Sequence, residues 1–552
     1  MKIRRIIGLS VLAALAITSQ SAVGANITSV QAHNLANTFI KQHVAAKPGS
    51  LMAPSASAIK LAHAEPSSVV QGAHDYYAFN IQGGGFIIIA GEDRATQVLG
   101  YSDKGQIDFN NLPSPLKDLL DGYKKEIEFL QTYKGNDLVV EAPTINAKSA
   151  GVEPLVKTTW GQEMPYYLQC PIYQGEYCVV GCVATAMAQV MNYWKYPTSS
   201  SSIARYYCYD IGTYVPALPA TTFDYSLMLD SYCHWDWDNS QLVQDTYTEE
   251  QAQEVAKLGR YCGQAVHMGY SPEGSGAYTY YQLSAMKTFG YSNAASTSKG
   301  YSNMSQWDNT LKAELDAGRP ILYSANDPNA GGHAFICDGY NSEGYFHFNL
   351  GWYGTCDGWY TTSSLRMVHR EGDNLNFSSG HEIVYKLEPP TYCIINADGI
   401  DANNNLMVLG QDMATVAQNV TLRTSYSDIN LVFALTDANG SRVVTSNVIN
   451  VNKNSFEQNS NVNGAITLPA NLTEGTYGMQ LDYYTTDANA LTTVNHSKGN
   501  LTVVGRVAKF NATFDISDVT TIVNYVLNGS PGISLDVTDA THLINYILNA
   551  AK

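Results

Sequence analysis

The stretch "GCVATAMAQVMNYW", residues 181–194, constrains the fold more than any other part of the chain. After Gly181 it carries Ala184, Ala186, Met187, Ala188, Val190 and Met191, small and long apolar side chains at a density that reads as a buried helix. Such a helix needs a large core around it, and a hydrophobic content of 45% allows one. Cys182 falls in the first turn. There the unpaired backbone N–H groups and the macrodipole favour a thiolate, the setting of a nucleophilic cysteine. The same residue is open to two plainer readings, half of a disulfide or an ordinary buried side chain. Cys178, four positions earlier, adds the reading of a metal pair. Zinc wants a second ligand pair close by, and none of the right type stands there, so no metal and no cofactor is expected.

A second segment bears on the choice. "PNAGGHAFICDGYNSEGYFHFNLGWYGTCDGWY", residues 328–360, reads as a β-hairpin. One strand runs from His333 to Tyr340, the turn centres on Ser342 and Glu343, and the return strand runs from Tyr345 to Leu350. The glycines before His333 leave room around its ring. A cysteine followed far downstream by a histidine and then an asparagine is the order expected of papain-like enzymes. Taken alone, His333 is as readily structural as catalytic.

The bulk numbers set the compartment and exclude some partners. With 49 acidic against 32 basic residues the 552-residue chain has a net charge of −17, a poor match for nucleic acid or an anionic membrane. "MKIRR", then "IIGLSVLAALAIT", then small residues with Val23 and Ala25 placed for cleavage before Asn26, read as a signal peptide over 1–25. No later segment is long and apolar enough to span a bilayer. The protein is therefore expected to be exported, to the medium or the cell surface, where disulfides are permitted. Nine cysteines, an odd number, leave at least one outside any intramolecular pair.

The chain changes character along its length. Residues 26–145 carry a helical pattern after Thr28 and Ser29, two strands around the glycine-rich "QGGGF", and the amphipathic "LKDLLDGYKKEIEFLQTY". A polar, turn-rich linker follows over 134–153, a place where proteolysis concentrates. Residues 146–390 are dense in aromatic residues and hold eight of the nine cysteines. Residues 391–504 alternate in short strands with Asn, Asp, Gly and Thr turns, as an all-β sandwich does. In 505–552, "DISDVTTIVNYVLNG" is repeated as "DVTDATHLINYILNA".

The segments "VKTTWGQEMPYYLQCP", "GCVATAMAQVMNYWKYP", "VHMGYSPEGSGAY" and "GGHAFICDGYNSEGYFHFNLGWYG" resemble the streptopain family of secreted cysteine peptidases, in the papain-like clan. "GGGFIIIAGEDRATQVLGYSDKG" resembles the inhibitory prodomain of that family. The resemblance implies an α+β fold: a two-lobed papain-like peptidase domain over 146–390, preceded by an α+β prodomain. The β-sandwich and a short helical repeat module complete the chain. It implies a cysteine endopeptidase made as a zymogen, acting on protein or peptide substrates, with its own prodomain as inhibitor and a cut over 140–153. In it Cys182 matches the nucleophile, His333 the general base, and Gln162 the side chain that joins the Cys182 N–H in an oxyanion hole. This chain reads Asn349-Leu350-Gly351-Trp352 where similar members read N-W-G-W. Asn349 is taken as the residue that orients His333, and Trp352 as its shield. A plain two-residue turn pairs His333 with Trp352, and a one-residue bulge brings Asn349 alongside instead. "YSPEGSGAYTY", 270–280, is a candidate binding loop.

The C-terminal repeats resemble a degenerate dockerin pair, which implies a docking partner. Their calcium loops are poor, with Val507, Lys509 and Asn511 at the early ligand positions of the first. Asp515, Asp518, Asp536 and Asp539 are more simply helix caps. Two other functions stay in view: a catalytically inactive adhesive or binding scaffold, and another thiol acyl-transfer enzyme.

Overall fold

The computed structural model describes residues 24–46, 59–133, 151–237, 239, 241–299, 304–327, 331–365, 380–402, 407–485, 488–497, 499–510, 514–528, 535 and 537–550. The signal-peptide stretch up to residue 23 and most of the linker, 134–150, lie outside these residues, as do Asn511 and Asp536. The chain divides into two compact units at Pro389/Pro390.

The first unit opens with helix α1, Ser29–Ala46. Its start is fixed by a reciprocal cap: Gln31 N donates to Thr28 Oγ1, and Thr28 N donates to Gln31 Oε1 at 2.8 Å. Strands β1 (Ile59–Pro66), β2 (His74–Ile81), β3 (Phe86–Ala90) and β4 (Val98–Ser102) follow, then helix α2 (Ser114–Thr132). Every residue of β3 and β4 is buried. The strands therefore read as continuous apolar runs, covered on both faces.

Next come α3 (Cys182–Trp194), a hairpin of β5 (Cys233–Asp236) and β6 (Gln241–Gln244), and helices α4 (Glu249–Ala265) and α5 (Tyr280–Thr288). Strand β7 (Ala295–Ser298) and helix α6 (Met304–Asp316) lead into β8 (Ile321–Asp327), β9 (Gly331–Tyr340), β10 (Phe346–Asn349), β11 (Gly358–Tyr360) and β12 (Glu382–Tyr385). All these strands except the β5–β6 hairpin belong to one antiparallel sheet of ten, ordered β1-β2-β3-β4-β11-β10-β9-β8-β12-β7.

The join is β4 on β11, where Tyr101 pairs with Trp359 and Gly100 with Tyr360. A Cβ at Gly100 would lie 2.3 Å from the Tyr360 ring, so only glycine admits this approach. Helix α2 covers the join. Its Glu126, buried, accepts from Ser363 Oγ at 2.7 Å, from Ser364 N and Oγ at 2.6 Å each, and from Leu365 N at 3.3 Å. Leu116, Leu119, Leu120 and Ile127 of α2 share one core with Leu311 of α6 and with Tyr323, Phe335 and Phe348 of the sheet.

The second unit is all-β up to Phe510. Strands Cys393–Ala402, Asp412–Thr424, Ser460–Thr467 and Asn495–Ser497 form one sheet. A second is built around Asp428–Thr436, Gly475–Thr485, Gly499–Val504 and Val507–Phe510. Met413, Val420 and Ile466 of the first meet Phe433, Leu481 and Leu501 of the second in a common core. Helices α7 (Ile516–Asn528) and α8 (Val537–Ala550) pack through Val519, Ile522, Ala540 and Leu543. The acidic residue early in each helix meets a protein cation. Asp518 takes Lys509 Nζ at 3.0 Å, and Asp539 takes Arg506 Nη2 at 2.6 Å. No helix among the described residues is long and apolar enough to cross a membrane.

Candidate active site

Helix α3 begins at Cys182 because Gly181 turns the chain into it with φ of 88°. A Cβ at Gly181 would lie 2.7 Å from the Met268 thioether and 3.0 Å from the Ser275 carbonyl oxygen, so the glycine-rich loop around 270–276 is seated against the helix start. Val179 N bonds Ser271 O at 3.1 Å, and Val180 N bonds Gln162 O at 3.0 Å. These bonds bring the Gln162 backbone to the turn that presents Cys182. All nine cysteines are free thiols, Cys178 among them, buried with its N–H on Pro171 O at 2.9 Å.

The sulfur lies against β9. Strand β10 stops at Asn349, opposite Ile336, so beyond that point the β9 edge is open. Ala334 N–H on that edge donates to Cys182 Sγ at 3.5 Å. His333 is the preceding residue, and alternation along the strand sends its side chain to the face of Phe335 and Cys337, the face α2 covers. No hydrogen bond joins Cys182 to His333 among the described residues, and His333 Nδ1 is buried with no hydrogen-bond partner among them.

Both groups are held neutral. Burial is the main force pushing the Cys182 thiol up; the N–H groups of Ala334, Val183 and Cys182 itself oppose it, and the Asp118 carboxylate of α2 adds to it. Burial likewise depresses His333, and the Lys117 ammonium of α2 adds to that. Adjacent residues of one helix thus disfavour the charged form of each group, against the thiolate–imidazolium pair that nucleophilic attack requires.

Asn349 is buried, and its amide is fully engaged elsewhere. Nδ2 donates to Thr158 O at 2.7 Å; Oδ1 accepts from Gln189 Nε2 at 3.2 Å and from Gly351 N at 3.1 Å. The β9–β10 ladder does carry a register shift, but it falls nearer the turn, between Cys337 and Gly339. Asn349 therefore shares the Ile336 side of the sheet, not the His333 side. Trp352 is half-buried and lines a cavity with Trp235, Trp237 and residues of the N-terminal region.

Two polar groups that the sequence reading passed over organise this arrangement. Gln189, completely buried on α3, accepts from Thr158 Oγ1 at 2.8 Å and from Trp160 N at 3.2 Å while donating to Asn349. It ties the segment leading to Gln162 to the strand end at Asn349. The visible signal is an amide, Gln189, set among the small and apolar residues of the helix. The other is the pair His347 Nδ1–Asp338 Oδ1, at 2.6 Å. Asp338 also takes Val156 N at 2.9 Å through Oδ2, and its carbonyl takes Leu155 N at 3.0 Å.

An α+β unit that places a cysteine at a helix start, beside a glycine-preceded histidine strand, and closes both under an N-terminal domain, defines a class: a thiol hydrolase in its covered form. Comparison with known proteins gives the family. Residues 160–360 match the Peptidase C10 family and residues 24–127 the Spi protease inhibitor family. The chain is 29% identical to streptopain of Streptococcus pyogenes over 358 residues, 61% of this chain and 84% of streptopain. It is 28% identical to the thiol protease/hemagglutinin PrtT of Porphyromonas gingivalis over 383 residues, 64% of this chain and only 42% of PrtT. Among solved structures, a fragment of Prevotella intermedia prointerpain A is 30% identical, covering 60% of this chain and 99% of that one, with a TM-score of 0.49. Active interpain A cysteine protease is 33% identical, covering 45% and 99%, with a TM-score of 0.37. The chain belongs to the Peptidase C10 family: it is a streptopain-like cysteine peptidase with a papain-like peptidase domain, built with a Spi inhibitor-like prodomain.

Proposed function

We propose that this protein is an exported cysteine endopeptidase whose zymogen form is the one described above. Residues 26–145 are the prodomain, 146–390 the peptidase domain, 391–504 an accessory β-sandwich, and 505–552 a helical docking module. Cys182 attacks the substrate carbonyl as a thiolate. His333 takes the thiol proton and returns it to the leaving amine, and water then releases the acyl-enzyme. Gln162 and the Cys182 N–H receive the oxyanion. Asn349 orients His333, and Trp352 shields them.

The observation that carries this reading is the placement of α2, which packs in one core with Phe335 and Cys337 on the face of β9 that His333 shares, while the next residue's N–H, that of Ala334, donates to Cys182 Sγ at 3.5 Å. The same helix is anchored through Glu126 to residues 363–365. Catalysis then requires the 331–333 end of β9 to leave its pairing with β8, where His333 faces Ala325, and to turn the ring toward Cys182 and Asn349. Removal of α2 permits that turn.

The test is casein cleavage by the processed enzyme, in wild type and Cys182→Ala. Cleavage is expected in wild type and expected to fall by at least about 10⁴-fold in the variant. Cleavage that survives Cys182→Ala overturns the nucleophile assignment. No cleavage by processed wild type favours the inactive scaffold.

A further inference from the structure

The seven tryptophans of the chain divide by environment. Trp160, Trp194, Trp307 and Trp359 are buried in the cores. The other three, Trp235, Trp237 and Trp352, are half-buried and line one cavity of about 300 Å³ between prodomain and peptidase residues. Trp235 and Trp237 stand at the end of the β5–β6 hairpin with ring centroids 6.0 Å apart, edge to face. The facing wall belongs to the prodomain. It is mostly polar and presents a single apolar side chain, Leu112, with Lys117 beside it. At Gly105, with φ of 67°, a Cβ would come within 3.2 Å of the Trp237 ring, so the prodomain chain runs closely over the indole.

The position of this cavity relative to the chemistry follows from its lining. Lys117 is the charged neighbour of His333, and Trp352 follows Asn349 on the same hairpin return. The cavity therefore adjoins the histidine, and it also borders the Gln162 segment, because Tyr353, next after Trp352, accepts from Glu163 N at 3.0 Å. In acyl transfer to a thiolate, the histidine hands its proton to the departing amine. The residues beyond His333 are then those that meet the leaving-group half of the substrate. A concave wall of three indoles with few polar groups suits a large apolar or aromatic side chain.

We propose that, once the prodomain leaves, Trp235, Trp237 and Trp352 form a subsite for a bulky apolar or aromatic residue just C-terminal to the scissile bond, a place that the prodomain wall around Leu112 covers in the zymogen. This rests on the peptidase reading above. It assigns part of the substrate preference to the β5–β6 hairpin, outside the catalytic segments.

The experiment uses processed enzyme obtained from the full-length chain. Quenched fluorescent peptides are compared that differ only in the two residues after the scissile bond, glycine against phenylalanine or tryptophan. Wild type is expected to favour the aromatic peptides by about 10-fold or more in kcat/KM, the worth of burying one such side chain. In Trp235→Ala/Trp237→Ala the ratio of the two is expected to collapse toward unity, chiefly through KM. A general folding defect lowers both peptides together and leaves the ratio standing, and the milder Trp235→Phe is expected to keep most of the preference. A wild type indifferent to the aromatic residue, or a double variant that keeps the full preference, overturns the subsite. Binding of the leaving-side peptide alone, followed by tryptophan fluorescence in Cys182→Ala processed protein, separates the two proposals. Aromatic-selective binding without turnover in wild type keeps the subsite and sinks the peptidase reading. Absence of both sinks each.

Discussion

Gln189 links three parts of the site through one side chain: Thr158, the Trp160 N–H before Gln162, and Asn349. Replacing it with leucine keeps the volume of the helix face but leaves the Asn349 carbonyl and the Trp160 N–H without this partner. A buried group orphaned in this way costs about 1–3 kcal/mol. Gln189→Leu is therefore expected to lower thermal stability and, in processed enzyme, to reduce kcat more than KM, because Asn349 and the segment leading to Gln162, proposed above as orienting and oxyanion residues, lose their common anchor. Parallel denaturation and steady-state kinetics would check both effects; an unchanged kcat would remove Gln189 from the site. Gly181→Ala is the complementary test on the other side of the sulfur. Its φ of 88° and the 2.7 Å approach to Met268 predict a loss of about 1–3 kcal/mol, read as a lower denaturation midpoint. At this scale the sequence was partly legible. Gly181 and the apolar run announce a helix start at Cys182, because capping and periodicity are local. Gln189 did not stand out, since its meaning depends on partners brought in by the fold from residues 158–160 and 349.

At the scale of elements, the β9–β10 hairpin shows why register was beyond reach. The shift between Cys337 and Gly339 occurs where a third segment intrudes: Val152 pairs with Tyr340, and Leu155 and Val156 donate to Asp338. Nothing in the hairpin's own sequence reports that segment, which follows the proposed cleavage region. The His347–Asp338 pair fastens it. Burial alone would depress His347, but the Asp338 carboxylate outweighs that through charge and hydrogen bond, with Asp357 and Glu153 behind it, and holds the pKa above the ordinary histidine value. Asp357 is itself pushed up to about 7, mainly by burial. A histidine raised in the folded state contributes stability that is full below its unfolded pKa and is lost as pH rises through the folded one. The stability gap between wild type and His347→Gln is thus expected to be widest at about pH 6 and to close on the alkaline side. Thermal melts of the two across pH would show it, and a gap that widens with pH would contradict the assignment. Asp338→Ala leaves the histidine charge without its partner and is expected to cost about 3–5 kcal/mol.

For the whole molecule, the larger part of the fold was visible in composition shifts and period changes: the strands around the glycine-rich turn, the amphipathic helix, the hairpin, and the alternating strands of the C-terminal region. What the sequence did not disclose is that prodomain and peptidase share one sheet. Two residue pairs on β4 and β11, with a glycine fitted under Tyr360, carry no periodic signal. The Glu126 carboxylate, which holds residues 363–365, looks in sequence like one more charge on a helix. Glu126→Ala orphans several buried donors at that join, and the prodomain is expected to release more readily. The measure is the rate at which full-length zymogen converts to processed enzyme, expected to rise severalfold over wild type. A rate unchanged from wild type would show that the join does not hold the zymogen.

In the function proposed above, α2 keeps Cys182 unreactive and its removal creates the nucleophile. The most direct test is the second-order rate of Cys182 alkylation by an epoxide inhibitor, read by mass spectrometry on the same chain before and after processing. Labelling of the zymogen is expected to be slow at neutral pH, and at least about 100-fold faster, confined to Cys182, once the prodomain is gone, because a neutral buried thiol has become a thiolate. Equal rates in the two forms, or faster labelling at another of the nine cysteines, would contradict it.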